Sequence, residues 1–396
     1  MCSQNLVRLG DYTDLLTGNP FKSSQYSTDR AGIRLLRGDN VVQGKIRWDG
    51  VKRWPLARAT DFRQYELVPG DVVVAMDRPW IEAGLKYAIV RQRDAPSLLV
   101  QRVARLRARP GLDQGYLGYV IGSRDFAVHV LAVQTGTAIP HISPSQLQEF
   151  SFHLPPLAEQ RSIAFVLGAF DDKIEINLRQ IQIQEELATR IIDQVGAHIP
   201  LLELATTQRS TIDPALSGAT LVDHFSLPAF DEGRLPIRQP GEEIKSGKLR
   251  IDGVSILVSR LNPHIPRVWY AVPENGVLGV ASTEFVVMTP THGVSAEELW
   301  ACCNSARFTS SLVENVTGTT GSHQRVKATD VLATGVGDPR SLSSGQKQAV
   351  SAMVKSVHLL RKESVALSIL RNALLPQLLS EELTLSGAEG LVGESV

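Results

Sequence analysis

Directly after Pro155-Pro156, residues 157–195 contain no proline and place apolar side chains at Ile163, Leu167, Phe170, Ile174, Ile181, Ala188, Ile191 and Val195. The steps of 3, 4 and 7 are the beat of a helix with one apolar seam. Asn177 and Gln184 fall in register with it, so the pattern is a coiled coil with polar breaks. Prolines suit the first turn, where amide hydrogens have no intrahelical acceptor. About 38 residues at ~1.5 Å each give a rod of roughly 57 Å. Such a rod spaces or connects; it is a poor pocket. A second run from Leu342 to Leu379 carries Met353, Val357, Leu360, Leu367, Leu374 and Leu378, broken by Ser364 and Arg371, with Pro376 expected to kink or end it. Two complementary stripes predict antiparallel packing that holds globular blocks apart.

The first block reads as short strands between Gly, Asp and Asn turns. Strands are expected at Ile33–Arg37, at Val72–Met76 after Pro69-Gly70-Asp71, and over Ser97–Leu106. The last alternates with Arg102, Arg105 and Arg107, which predicts a wet, basic face. Residues 116–133 read as helical, Thr135 to Ile142 as a tight loop and Phe150–Leu154 as a final strand. The second block repeats the plan 182 positions on. Leu117 falls on Leu299, Ser123 on Ser305, Phe126 on Phe308, Thr135-Gly136-Thr137 on Thr317-Gly318-Thr319, and His141 on His323. The fold class is therefore α+β: two α/β domains separated by two long antiparallel coiled-coil helices, an internal repeat with pseudo-twofold character. Boundaries are expected at 1–155, 156–196, 197–340 and 341–383, with a tail from 384.

The chain has 396 residues, with 41 Lys and Arg balanced by 41 Asp and Glu. The distribution is uneven: residues 1–150 carry 20 basic against 14 acidic side chains, residues 197–340 carry 12 against 15. The first block has a basic bias and the second does not. Three cysteines, Cys2, Cys302 and Cys303, form no CxxC pair and fit a reducing cytoplasm. No apolar run reaches the ~18 residues of a membrane span. Asn19-Pro20-Phe21 only superficially resembles an amino-methyltransferase motif, and Gly247-Lys248 lacks a phosphate-loop context. No HExxH or GxSxG motif occurs, so the expectation is a non-catalytic chain that binds no cofactor or metal.

The stretch Leu154-Pro155-Pro156-Leu157-Ala158-Glu159-Gln160-Arg161, with Ile163 and Leu167-Gly168-Ala169-Phe170-Asp171-Asp172-Lys173-Ile174-Glu175, resembles the central conserved region of the specificity subunits of type I restriction–modification enzymes. Residues 370–379 resemble the end of that family's second conserved helix, and the Thr-Gly-Thr loops its target-recognition domains. The second half departs from the pattern: Asp338-Pro339-Arg340 stands where the first has Pro-Pro, and Gly345 replaces Glu159. The resemblance implies that each domain reads one half of a split double-stranded DNA target. It implies that the helices set the gap and dock two methyltransferase subunits using S-adenosylmethionine. It also implies that a motor–nuclease subunit using ATP and Mg joins them. The competing reading is a scaffold or coiled-coil adaptor without DNA readout; a self-contained methyltransferase is disfavoured by the missing motifs.

On the DNA reading, contacts are expected from Arg37, Lys45, Arg78 and Lys86, and from Thr135, Thr137 and His141. The second domain offers Lys248, Arg260, Arg267, Thr317, Thr319, His323 and Arg325. The alternative reading of each arginine is a solvated strand face, of the Thr-Gly-Thr segments plain turns, and of the histidines turn caps. Partner-binding candidates are Glu159, Gln160, Arg161, Phe170, Gln346 and Leu374. For Glu159, Gln160 and Arg161, holding the domain to the helix or capping the helix start are the alternatives.

Overall fold

A computed structural model describes residues 6–136, 139–314 and 324–380. The chain divides into two units, Met1–Asp171 with Ile369–Val396, and Asp172–Ser368.

The first unit is organised around Val72–Ala75, whose four residues are fully buried. Alternate side chains of a strand point to opposite faces, so Val72 and Val74 enter one core while Val73 and Ala75 enter another. A strand covered on both sides reads as an unbroken apolar run. It lies in a five-stranded sheet ordered Thr13–Thr17, Val103–Ala108, Val72–Ala75, Tyr87–Ile89, Gln43–Gly44. Helices Gln114–Ile121 and Arg124–Val133 cover one face through Leu117, Val120, Ile121, Phe126 and Val130. Asp113 and Ser123 cap them by accepting from the amides of Tyr116 and Phe126 at 3.0 and 3.2 Å. A four-stranded sheet, Lys52–Trp54, Ile33–Leu36, Ser97–Leu99, Glu66–Leu67, contributes Leu36, Leu67 and Leu99 to the other core. Leu6–Arg8 pairs antiparallel with Ser151–His153 as a separate ribbon.

The expected strand over 97–106 is two strands in different sheets, Ser97–Leu99 and Val103–Ala108. The break is at Arg102, whose φ of +66° takes the chain out of extended geometry. The expected basic face is also neutralised. Arg105 is buried against Asp14 at 2.9 Å, and Arg107 grips buried Asp71 with two nitrogens.

The second unit repeats the central elements of the first. Val103–Ala108 recurs as Phe285–Pro290, Gln114–Ile121 as Ala296–Cys303, and the cap Ser123 as Ser305, each 182 positions on. Phe126 and Phe308 are both fully buried. A four-stranded sheet runs Ala205–Gln208, Phe285–Pro290, Ser255–Ser259, Val268–Ala271, and a five-stranded sheet runs Thr211–Ile212, Lys248–Ile251, Leu278–Ala281, Leu221–Phe225, Ile237–Pro240. The closing ribbon is His198–Pro200 with Gly335–Gly337. One part of the register differs from the expectation. The bridge Asp77–His141 of the first unit recurs as Leu261–Arg325, 184 positions on. By these bridges His141 corresponds to Arg325, whereas the constant offset of 182 pairs it with His323.

Both long helices form, as Leu157–Asp193 and Ser344–Leu379; Pro376 does not end the second, which runs three residues further. They pair antiparallel within each unit. In the first, Ile163 and Leu167 share a core with Leu374 and Leu378, and Asp171 accepts from Tyr119 Oη at 2.8 Å and pairs with Arg371. In the second, Arg361 donates to Glu185, and Ala188 and Ile192 pack with Val350 and Val354. The buried positions here are Ile192, Val350 and Val354, whereas Ile191 and Met353 are half-buried. An α-helix of 3.6 residues per turn drifts by roughly 20° per heptad, so a strict seven-residue register loses its face along a straight helix.

Asn177 is fully buried in this seam. Its Nδ2 donates to Glu363 at 2.8 Å and its Oδ1 has no partner. Asn177→Leu is expected to raise the unfolding free energy by about 1 kcal/mol in urea denaturation, since an orphaned buried acceptor is replaced by an apolar contact. A loss of stability would contradict this.

Candidate nucleic-acid interface

In the first unit the loop following helix Arg124–Val133 turns back on itself. Thr135 and His141 exchange main-chain hydrogen bonds of 2.8 and 2.7 Å. Gly136 has φ +92°, and a Cβ there would meet the Ile139 carbonyl at 2.8 Å, so the turn needs glycine. Thr137 lies outside the described residues. His141 faces the turn after the central strand: its Nδ1 lies 2.7 Å from Asp77 Oδ1, and Arg102 donates to Asp77 Oδ2 at 2.6 Å. Burial opposes ionisation of Asp77, but these two hydrogen bonds outweigh it and hold the carboxyl below its usual range. Arg78 follows with φ +45°, its amide donating to the Pro140 carbonyl at 2.7 Å.

Asp77, Arg78 and Arg102 line a cleft of about 830 Å³ with Arg37, Asp39, Lys52, Lys86 and Gln101. Five cations, Arg37, Lys52, Arg78, Lys86 and Arg102, face two carboxylates, Asp39 and Asp77. Arg37 pairs with Asp39 at 3.0 Å and Arg102 with Asp77. Among the described residues Lys52, Arg78 and Lys86 carry no ion pair, so the cleft presents net positive charge. Burial pulls the Lys86 ammonium below its ordinary value, with Asp39 offsetting and Arg78 adding to the shift. Four expected contact residues, Arg37, Arg78, Lys86 and His141, thus come together at or beside one cleft. Lys45 is exposed in a turn and does not line it. Lys52, one of the basic residues the first block offers for phosphate contact, lines it as well, and so does Arg102, which the sequence places in a strand; nothing local in the sequence marks its positive φ.

The corresponding residues of the second unit are differently occupied. Lys248 is buried and its ammonium donates to Ser246, so it is not presented for a phosphate. Arg267 is clamped by both oxygens of Asp231, at 2.6 and 2.8 Å, and Arg325 by Glu284. Arg260 donates to the Thr283 carbonyl at 2.6 Å beside a smaller cleft of about 190 Å³, where Arg209 is exposed. Thr317, Thr319 and His323 lie outside the described residues.

The expected partner-binding residues also divide. Gln160 is 1% exposed: its Oε1 accepts from Asp113 N–H at 2.8 Å, and its Nε2 donates to the carbonyls of Pro155 and Gly111 at 2.8 and 3.1 Å. It ties the helix start to the domain and has no atom left for a partner. Leu374 is buried in the first unit's core, with Phe170 half-buried against it. Gln346 does not reproduce Gln160; it accepts from Ser343 and caps its own helix. Glu159 and Arg161 remain half-buried and exposed. Exposed apolar side chains stand elsewhere on the helices, at Phe165, Ile176, Ile183 and Leu187 and at Leu359 and Ile369.

Cys302 and Cys303 are buried, which pushes both thiols up and away from reactivity. Among the described residues no three His, Cys, Asp or Glu side chains gather as a metal site, and no helix is long and apolar enough to cross a membrane.

Residues 61–187 match the family model described as the type I restriction modification DNA specificity domain. The chain is 36% identical over 157 residues to the type I restriction enzyme EcoAI specificity subunit of Escherichia coli, covering 39% of this chain and 26% of that protein. It is 31% identical over 189 residues to the MjaVIII specificity subunit of Methanocaldococcus jannaschii, covering 48% and 44%. The matches thus span less than half the length of either relative. The fold is similar to the crystal structure of a type I restriction–modification S subunit from M. genitalium, with a TM-score of 0.58 at 13% identity over 96% of this chain and 98% of that one.

Proposed function

We propose that the chain is a DNA specificity subunit of the type I restriction–modification family and that its two units each read one half of a bipartite double-stranded DNA target. The recognition domains are residues 1–155 and 197–340, and the helical segments 156–196 and 341–383 set the interval between the half-sites. The observation that carries this reading is one scaffold present twice with different surfaces: a cleft in the first unit whose Lys52, Arg78 and Lys86 carry no ion pair among the described residues, and arginines held by Asp231 and Glu284 in the second. Duplicated readers with exchanged surfaces suit an asymmetric split site, as fixed half-site spacing suits two-headed readers generally. Free cations supply the phosphate attraction on which DNA affinity rests.

The chemistry is assigned to partners. Two methyltransferase subunits bind the helices, holding S-adenosylmethionine, and a motor–nuclease subunit brings ATP and Mg. Apolar side chains left in water, with Phe165 at 78% exposure, are the docking surface that supports this. Mapping methylated adenines in the genome tests the reading. Deleting the chain is expected to abolish the methylated motif, and exchanging residues 1–155 for the same segment of another specificity subunit to change one half only. An intact motif after the exchange would overturn it.

A further inference from the structure

The turn that carries Arg78 is built twice. In the first unit Asp77 bridges His141, and the next residue, Arg78, has φ +45° and donates its amide to Pro140. In the second, Leu261 bridges Arg325, and Asn262 has φ +50° and donates its amide to Gln324 at 2.8 Å. Left-handed backbone is disfavoured for arginine and held only where surrounding bonds impose it. The backbone device is thus repeated while the side chain is exchanged, as expected of a reading position on a duplicated scaffold.

Arg78 is also the one arginine of the cleft without a carboxylate among the described residues, since Arg37 is held by Asp39 and Arg102 by Asp77. Its root is fixed on three sides, by the buried strand Val72–Ala75, by the Pro140 carbonyl, and by Asp77, itself clamped by His141 and Arg102. Phosphate attraction tolerates a loosely held cation such as exposed Lys52. A planar fork on a rigid turn is what bidentate recognition of a guanine edge requires.

Resting on the reading of the chain as a DNA specificity subunit, we propose that Arg78 determines one base pair of the first half-site, donating through its guanidinium to O6 and N7 of a guanine, with His141, Asp77 and Arg102 as positioning residues. The test is binding of the full-length chain, wild type and variants, to a pool of duplexes randomised across the target, scored base by base and repeated at two salt concentrations. Arg78→Ala is expected to lose discrimination at a single G·C pair by a factor of roughly 5 to 150, leaving the rest of the motif intact. Lys52→Ala is expected to weaken all sequences equally and to lower the salt slope by about 1. Retention of the other motif positions by Arg78→Ala is the internal control for folding. Uniform weakening by Arg78→Ala, or an unchanged motif, would overturn the assignment and leave the function standing. Absence of any motif with the wild-type chain would instead overturn the reading on which it rests.

Discussion

Replacing Gln160 by alanine is expected to cost about 4 kcal/mol of stability, because three main-chain groups lose their partner at once. The Asp113 amide and the Gly111 and Pro155 carbonyls are bonded by one side chain that is 1% exposed. A buried polar group left unmade costs roughly 1–3 kcal/mol. Glutamate would not rescue it, since its carboxylate would meet two carbonyl oxygens where the amide now donates. The measurement is urea denaturation of the full chain. A residue whose role was to contact a partner subunit would give the opposite pattern: stability unchanged in the isolated chain and association lost.

A comparable loss is expected at Trp269. Its ring is 2% exposed and meets Phe225, Phe230 and Phe285 edge-on, with centroids 4.9, 5.5 and 6.3 Å away. Trp269→Ala is expected to cost about 4–5 kcal/mol, combining lost burial and cavity with edge-to-face contacts. Trp269→Phe keeps part of the area and is expected to cost about half as much. A loss below about 1 kcal/mol for the alanine variant would show that the pocket collapses around the gap. The first unit has its own version in Trp54, packed edge-on with Phe21 and Phe62.

The long helices were readable because a seam at steps of 3 and 4 is a local pattern, and their polar breaks Asn177 and Ser364 meet each other inside it. The repeat was readable for the same reason: caps such as Ser123 and Ser305 and core residues such as Phe126 and Phe308 keep their spacing within one helix pair. What the sequence hid depends on distant partners. The bond of Gln160 to Asp113 spans 47 residues, and the acids that silence Arg267 and Arg325 lie 36 and 41 residues away. The basic strand face failed likewise, since Asp14 reaches Arg105 from the strand Thr13–Thr17 and Asp71 reaches Arg107 from just before the strand Val72–Ala75. Arg102 joined the cleft through a positive φ that no local signal marks. A constant offset of 182 pairs His141 with His323, whereas the bridges Asp77–His141 and Leu261–Arg325 are 184 positions apart.

In each unit the first strand lies antiparallel beside the last, Leu6–Arg8 against Ser151–His153 and His198–Pro200 against Gly335–Gly337. The chain therefore begins and finishes each globular segment at one seam. A segment whose ends emerge side by side is a cassette: it can be excised, replaced, or reopened at another surface loop by circular permutation while its hydrogen-bonded base stays closed. The breakpoint for a functional exchange is thus the ribbon rather than any loop within the sheets, and a graft that carries both ribbon strands brings its own closure with it.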